Sequence, residues 1–251
     1  MSLLKSIFGK KDDPAQPPLL QDYSSVHTDF HSHLIPGIDD GAATIEDSLQ
    51  LMKGLASLGF KKAITTPHVM SDYFRNSTET ILAGRDQLRA LAAEHNIPIE
   101  IDVAAEYYLD EGFFPKMESE KLLTLGDDYL LFEISYINPP DNLKKAVFDM
   151  KVKGYKPLLA HPERYPFWYN KFEFYEELKE QDVFFQINTI SLTGYFGPGA
   201  KKLAEKMIDA GMVNFIGSDM HHTRHLEALR KTLGEKYLAK LVAQGVLNHT
   251  L

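Results

Sequence analysis

The sequence contains no cysteine. That excludes a disulfide framework, a thiolate zinc site and any cysteine nucleophile. It has no excess of positive charge: 27 Lys+Arg stand against 35 Asp+Glu, a formal net charge of −8. A general nucleic-acid binder needs a basic face, so nucleic acid is not expected as a partner. No apolar run approaches the length of a membrane span and mean hydropathy is −0.25, so an integral membrane protein is not expected. No GxGxxG follows a candidate strand, which removes the usual dinucleotide signature.

What is present fits one large globular domain. The chain has 251 residues, 44% of them hydrophobic and 25% charged, and an α/β barrel reaches this size as a single unit. Residues 1–25 stand apart. They begin MSLLKSIFGKKDDPAQPPLLQDY, a short apolar patch with lysines, an acidic pair and prolines. They are expected to be an arm, mobile or packed as a strap, with a weak membrane-surface anchor as the alternative. The folded domain is expected over 26–251.

From residue 26 onward, short apolar runs alternate with helical patterns. Candidate strands are Val26–His31, Lys62–Thr66, Ile99–Ala105, Tyr129–Glu133, Lys156–Ala160, Val183–Ile187 and Val213–Gly217. Candidate helices are Thr44–Leu58, Glu79–His95, Asp141–Lys153, Phe172–Glu180, Gly199–Ala210 and Arg224–Val242. Thr44 with Asp47 three residues on reads as a capping box. Gly59, Gly154 and Gly211 follow three of these helices, where a left-handed C-cap wants glycine. Strand–helix alternation implies right-handed crossovers and a parallel sheet. The expectation is a distorted seven-unit (β/α) barrel, one unit short of eight. A doubly wound open sheet is the alternative.

The chemistry lies where the strands end. The first runs into His31-Ser32-His33, with Asp39-Asp40 shortly after. The second ends in Thr66-Pro67-His68, the third at Glu106, the fourth at Glu133 and the fifth at His161. The seventh runs into Ser218-Asp219-Met220-His221. In a parallel barrel these ends share one rim, which holds the active site. Residues two apart on a strand share a face, so His31 and His33 can chelate together, as can Asp219 and His221. A lone HxH or DxH is weak, because hydrogen-bonded histidines are common. Together, so many imidazoles and carboxylates at one rim need cations, since the strand ends lack arginines to pair them. A nitrogen and oxygen ligand set without sulfur suits manganese, iron or zinc and disfavours calcium. The ligands exceed the needs of one ion, so two or three divalent ions are expected.

These residues resemble a known family. His31-Ser32-His33, Leu-Ile-Pro-Gly-Ile-Asp-Asp-Gly, Thr-Pro-His68, Ala-His161-Pro-Glu-Arg164-Tyr and Ser-Asp219-Met-His221 are similar to the PHP (polymerase and histidinol phosphatase) superfamily. Within it the chain resembles the bacterial capsule-type tyrosine-protein phosphatases, over about residues 26–245. The resemblance implies a PHP-type barrel with a trinuclear site at the C-terminal face of the strands, with manganese first among the metals. It implies His31, His33, Glu133 and Asp219 around one ion, and Glu133, His68 and His161 around a second or bridging to it. Asp40, Glu106 and His221 would serve the third. Asp40 rather than Asp39 fits the position before the glycine, and Arg164 resembles the phosphate-contacting arginine. The implied substrate is a phosphotyrosine protein, the C-terminal tail of a bacterial tyrosine kinase of polysaccharide export. The implied location is cytoplasmic, near the inner face of the membrane through that partner. A homo-oligomer is compatible with the resemblance. A small phosphate ester such as histidinol phosphate is the alternative substrate, and a nuclease activity fits the acidic charge less well.

The mechanism expected is hydrolysis by a metal-bound hydroxide, because a divalent ion lowers the pKa of its water towards neutrality. His68 or His161 would protonate the leaving group if not ligated. Arg164 would supply a planar donor fork to phosphate, with Arg75 and Arg224 as weaker candidates. Loops after the strand ends are aromatic-rich: Tyr73, Phe74, Tyr108, Phe113, Tyr136, Tyr165, Phe167, Trp168, Tyr195 and Phe196 could grip a phosphotyrosine ring. The ordinary alternative is that they cap the barrel mouth or make a subunit contact. His27, His95, His222, His225 and His249 are left outside the ligand set.

Overall fold

The computed structural model describes residues 17–251. Most of the arm expected over 1–25 lies outside the described residues. Its last part does not hang free. Tyr23 is fully buried, stacks on Phe60 at 4.6 Å and donates its amide to the Leu58 carbonyl at 2.8 Å. Its hydroxyl donates to the Leu229 carbonyl at 3.2 Å and also meets the Thr232 hydroxyl. Tyr23→Phe should destabilise the protein by about 1 kcal/mol, the net worth of one buried hydrogen bond. Thr232 keeps its own bond to Leu229, so the loss stays small. A urea melt measures it; an unchanged midpoint would contradict this anchoring.

Among the described residues, nine strands are paired in parallel. They are β1 (Thr28–Asp29), β2 (Lys62–Thr65), β3 (His68–Val69), β4 (Glu100–Val103), β5 (Glu106–Tyr108), β6 (Tyr129–Glu133), β7 (Lys156–Ala160), β8 (Phe184–Asn188) and β9 (Phe215–Gly217). One sheet has the order β1-β2-β4 and the other β3-β5-β6-β7-β8-β9. The expected second and third strands are β2 and β4, and each is followed beyond its expected end by a further short strand that the sequence reading did not include, β3 and β5. Thr66-Pro67 separates β2 from β3, and Ala104-Ala105 separates β4 from β5. Proline cannot donate to a ladder, and here the Pro67 carbonyl accepts from the Glu106 amide (3.1 Å) as the pair crosses from one sheet to the other. A parallel bridge, Ser32 to Met220, ties the first strand segment to the last.

Among the described residues, eight α-helices are interspersed with the strands: α1 (Ile45–Ser57), α2 (Thr78–Glu94), α3 (Phe113–Ser119), α4 (Leu143–Val152), α5 (Phe172–Glu180), α6 (Pro198–Asp209), α7 (Thr223–Thr232) and α8 (Lys236–Gln244). Thr44 and Asp47 form the expected capping box. Gly59, Gly154 and Gly211 all have positive φ. The long helix expected over Arg224–Val242 is instead α7 and α8, separated at Leu233-Gly234-Glu235. Glycine in a helix interior costs about 1 kcal/mol relative to alanine, which favours a break there. Helix α3 was not anticipated: it is one short piece without a side-chain cap.

Period-2 alternation sorts the strand side chains into two apolar clusters. Leu130, Phe132, Leu159, Phe185 and Ile187 join the large cluster with the helices. Phe30, Ile64, Leu131, Leu158 and Phe215 form a smaller one inside the curl of the sheets. Continuing the same inner face along β6 leads from Leu131 to Glu133, and along β8 from Phe184 to Gln186 and Asn188. The inner face thus changes from apolar to polar towards the C-terminal ends of the strands.

Candidate metal centre and active site

Glu106 stands at the centre of that polar rim. It opens β5 and is fully buried. Its Oε2 lies 3.1 Å from His31 Nε2, 3.5 Å from His33 Nε2 and 3.3 Å from His68 Nδ1. Its Oε1 lies 3.0 Å from His161 Nε2. Glu133 Oε1 lies 3.1 Å from His68 Nδ1. Asp219 Oδ1 lies 3.6 Å from both His31 Nε2 and His33 Nε2. Asp40 Oδ1 is 3.4 Å from His68 Nε2 and from His221 Nε2.

Every candidate ligand named from the sequence falls into four overlapping groups whose ligand atoms lie within 4.8 Å of one another: His33, Asp40, His68 and His221; His31, Glu106 and His161; His31, His33 and Asp219; His68, Glu106 and Glu133. The grouping differs from the implied partition. Glu106, not Glu133, touches the first histidine pair, because Glu133 sits one strand further round the sheet.

Local backbone chemistry aims these groups. His161 and Asp219 end their strands in the left-handed region, at φ 34° and 50°. Such values are uncommon outside glycine and cluster at functional sites. They also correct the extended reading of 218–221: the chain turns at Asp219 into α7. Gly41 lets the Asp39–Gly41 loop close on the HxH strand, since a Cβ there would lie 2.3 Å from the His33 carbonyl oxygen.

The electrostatics show what the cluster wants. Burial opposes charge on His31, but Glu106 and Asp219 outweigh it and lift its pKa to about 9. Burial and the neighbouring His221 push His33 down to about 4. Burial would raise Glu106, but His31 and His68 hold it well below the usual carboxylate range. Burial would also raise Asp219, which His221, His31 and Arg164 hold well below that range. Three ring nitrogens, His33 Nε2, His68 Nδ1 and His161 Nδ1, are buried without a hydrogen-bond partner, and carboxylate oxygens lie 3.5 Å from the first and 3.1 and 3.3 Å from the second. Unused lone pairs on buried ring nitrogens among carboxylates fit a cation placed between the groups.

Other residues complete the site. Arg164 Nη1 donates to Asp219 Oδ2 at 2.9 Å, so one arginine does pair a strand-end carboxylate, contrary to the expectation. Its guanidinium lies between the Tyr136 ring (4.7 Å) and the Phe196 ring (4.1 Å). A cavity of about 550 Å³ opens over the cluster and is lined by Arg164, Asp40, His68, Glu133, His161, Asp219 and His221. Of the expected rim aromatics, Phe74, Tyr108, Tyr136 and Phe196 line it. Tyr165, Trp168 and Phe113 are buried in the core instead. Arg75 lines a neighbouring cavity, with its Nε on the Ser71 carbonyl.

Sequence reasoning missed several partners. Asp39 accepts from His33 Nδ1 at 2.7 Å and so orients that ring. His222 and His225, left outside the set, line the cavity, and His225 Nδ1 donates to the Asp219 carbonyl at 2.9 Å. Gln186 and Asn188 reach His31 and Asp219 from β8. Their signal was the i, i+2 spacing at a strand end, the same spacing that marked His31 and His33.

Comparison with known proteins follows this geometry. The chain is 28% identical to the tyrosine-protein phosphatase YwqE of Bacillus subtilis over 197 residues, 78% of each chain. It is 28% identical to the tyrosine-protein phosphatase CpsB of Streptococcus pneumoniae, covering 84% of this chain and 91% of that one. Among solved structures it matches one from a study of YwqE and CpsB as unique metal-dependent tyrosine phosphatases. The TM-score is 0.75 at 27% identity, covering 82% of this chain and 85% of that one. Histidinol phosphate phosphatase of Lactococcus lactis shares the fold, with a TM-score of 0.51 at 14% identity over 88% of this chain and 94% of that one. The family model for capsular polysaccharide synthesis, CpsB/CapC, matches residues 27–247, and the chain belongs to that family.

Proposed function

We propose that this protein is a metal-dependent protein-tyrosine phosphatase. The observation that carries the reading is the Glu106-centred ligand cluster set in one cavity with Arg164, which is held between Tyr136 and Phe196. The fold is read as a seven-unit barrel in which β2 with β3, and β4 with β5, count once each. His31, His33, Glu106, His161 and Asp219 would hold one part of a site for two or three ions, and His68, Glu106 and Glu133 the next. Asp40 and His221 would complete it with His33 and His68. When bound, divalent ions of this kind supply an activated water and neutralise phosphate charge.

The chain's own residues do the rest. Arg164 presents planar donors to the phosphate oxygens. Tyr136 and Phe196 fix that guanidinium and border the space for the substrate ring. His68 and His161 lie within reach of Glu106 and are read as ligands, not as acids. A phenol leaves readily, so little proton donation is needed. Tyr136 Oη lies 3.4 Å from His161 Nε2, and burial and Glu133 keep it protonated and neutral. The substrate is a phosphotyrosine protein, with the tail of a bacterial tyrosine kinase as the partner the family resemblance implies.

The test compares a phosphotyrosine peptide, histidinol phosphate and single-stranded DNA side by side with added manganese. Phosphate release should be fastest from the peptide, stop with EDTA and resist vanadate, which targets cysteine phosphatases. Equal or faster turnover of histidinol phosphate would overturn the tyrosine assignment.

A further inference from the structure

Strand β8 supplies none of the proposed ligands, yet it points two amides into the site. Gln186 and Asn188 are both fully buried on its inner face. They form a continuous chain of hydrogen bonds. Asn188 Nδ2 lies 2.6 Å from Asp219 Oδ2, Gln186 Nε2 lies 3.0 Å from Asn188 Oδ1, and Gln186 Oε1 lies 2.7 Å from His31 Nδ1. The His161 amide also reaches Gln186 Oε1, at 3.4 Å.

The direction of this chain is fixed by one end. An ionised carboxylate only accepts, so Asn188 must turn its NH2 to Asp219. Its carbonyl then faces Gln186, which must donate with its own NH2. The Gln186 carbonyl then faces His31, whose Nδ1 must carry the proton. In the neutral ring that could serve as a ligand, the bare nitrogen is then Nε2, the atom aimed at Glu106 and Asp219. Asp219 Oδ2 is filled by Asn188 and Arg164, which leaves Oδ1 alone towards His31, His33 and His221. Packing is adjusted to this chain. A Cβ on Gly217 would lie 2.5 Å from His31 Cβ and 2.9 Å from Gln186 Nε2.

We propose that Gln186 and Asn188 are positioning residues: a one-way amide relay that sets the His31 tautomer and leaves Asp219 one free oxygen. The proposal rests on the metal-site reading above and assigns it residues outside the ligand set. Residues behind metal ligands are typically worth about 10–100-fold in metal affinity or activity.

The test uses isosteric variants, Gln186→Glu and Asn188→Asp, beside the apolar Gln186→Leu and Asn188→Leu. Each isosteric change also adds a negative charge beside the cations, which by itself would tighten manganese binding, so a role in filling space alone predicts affinity at or above wild type. The relay predicts the opposite, because each change replaces a donor by an acceptor that faces another acceptor. Both should lose about 10–100-fold in manganese affinity by titration calorimetry, with circular dichroism unchanged. Should a leucine variant fail to fold, the isosteric pair still decides. Manganese affinity at or above wild type in both isosteric variants would overturn the relay. Weakened affinity in variants of a protein that releases no phosphate from tyrosine would leave the relay standing and overturn the phosphatase reading instead.

Discussion

Glu106→Gln is expected to abolish turnover while leaving the fold intact. The substitution keeps shape and removes one charge. Among the described residues, Glu106 is the one carboxylate within 3.5 Å of His31, His33, His68 and His161 together. Residues behind metal ligands are worth about 10–100-fold in metal affinity, so the loss of a central ligand should cost at least about 100-fold. The glutamine NH2 would also point a donor into a region that needs acceptors. Metal content after gel filtration and kcat at saturating manganese both read the effect. A variant with wild-type metal content and at least a tenth of the activity would remove Glu106 from the centre of the site. Glu133→Gln should be milder, because Glu133 approaches His68 closely but His161 only to 3.9 Å.

Arg164→Lys should impair substrate recognition without emptying the metal site. Lysine keeps the charge and loses the planar fork, along with the stacking between Tyr136 and Phe196. Charge-assisted hydrogen bonds are worth about 1.5–3 kcal/mol each, so kcat/KM should fall about 10–100-fold. Asp219 Oδ2 still has Asn188, so metal stoichiometry should be unchanged. Most of the loss should appear in KM for a phosphotyrosine peptide. Loss of metal with KM unchanged would mean that Arg164 serves the ligand cluster and not the phosphate.

The parts of this molecule legible in its sequence are those with a strong local cause. Seven of the nine strands of the described residues could be placed, because each is an apolar run bounded by turn residues, whereas β3 and β5 are two- and three-residue pieces with no such pattern. Thr44 with Asp47, and the glycines after helices, carry their own backbone chemistry. The ligands were legible because histidine and carboxylate at strand ends have few other reasons to coincide. Their grouping was not, since it depends on how the chain changes sheets from β2 to β3 at Thr66-Pro67 and from β4 to β5 at Ala104-Ala105. The polar support was least visible. Gln186 and Asn188 are neutral amides whose meaning lies in partners 31 and 155 residues away. His222 and His225 escaped because the sequence does not show the turn at Asp219, whose positive φ leads the chain into α7 with both histidines in the cavity wall. Several aromatics counted for the rim proved to be core, because Tyr165 and Trp168 pack under the loop that carries Arg164.

If this cluster of histidines and carboxylates holds the ions on which phosphotyrosine hydrolysis depends, anomalous diffraction at the manganese edge, from crystals grown with that metal, should show it. Two or three peaks are expected among His31, His33, Asp40, His68, Glu106, Glu133, His161, Asp219 and His221. No peak there in an enzyme that remains active, or a peak only elsewhere on the surface, would contradict it.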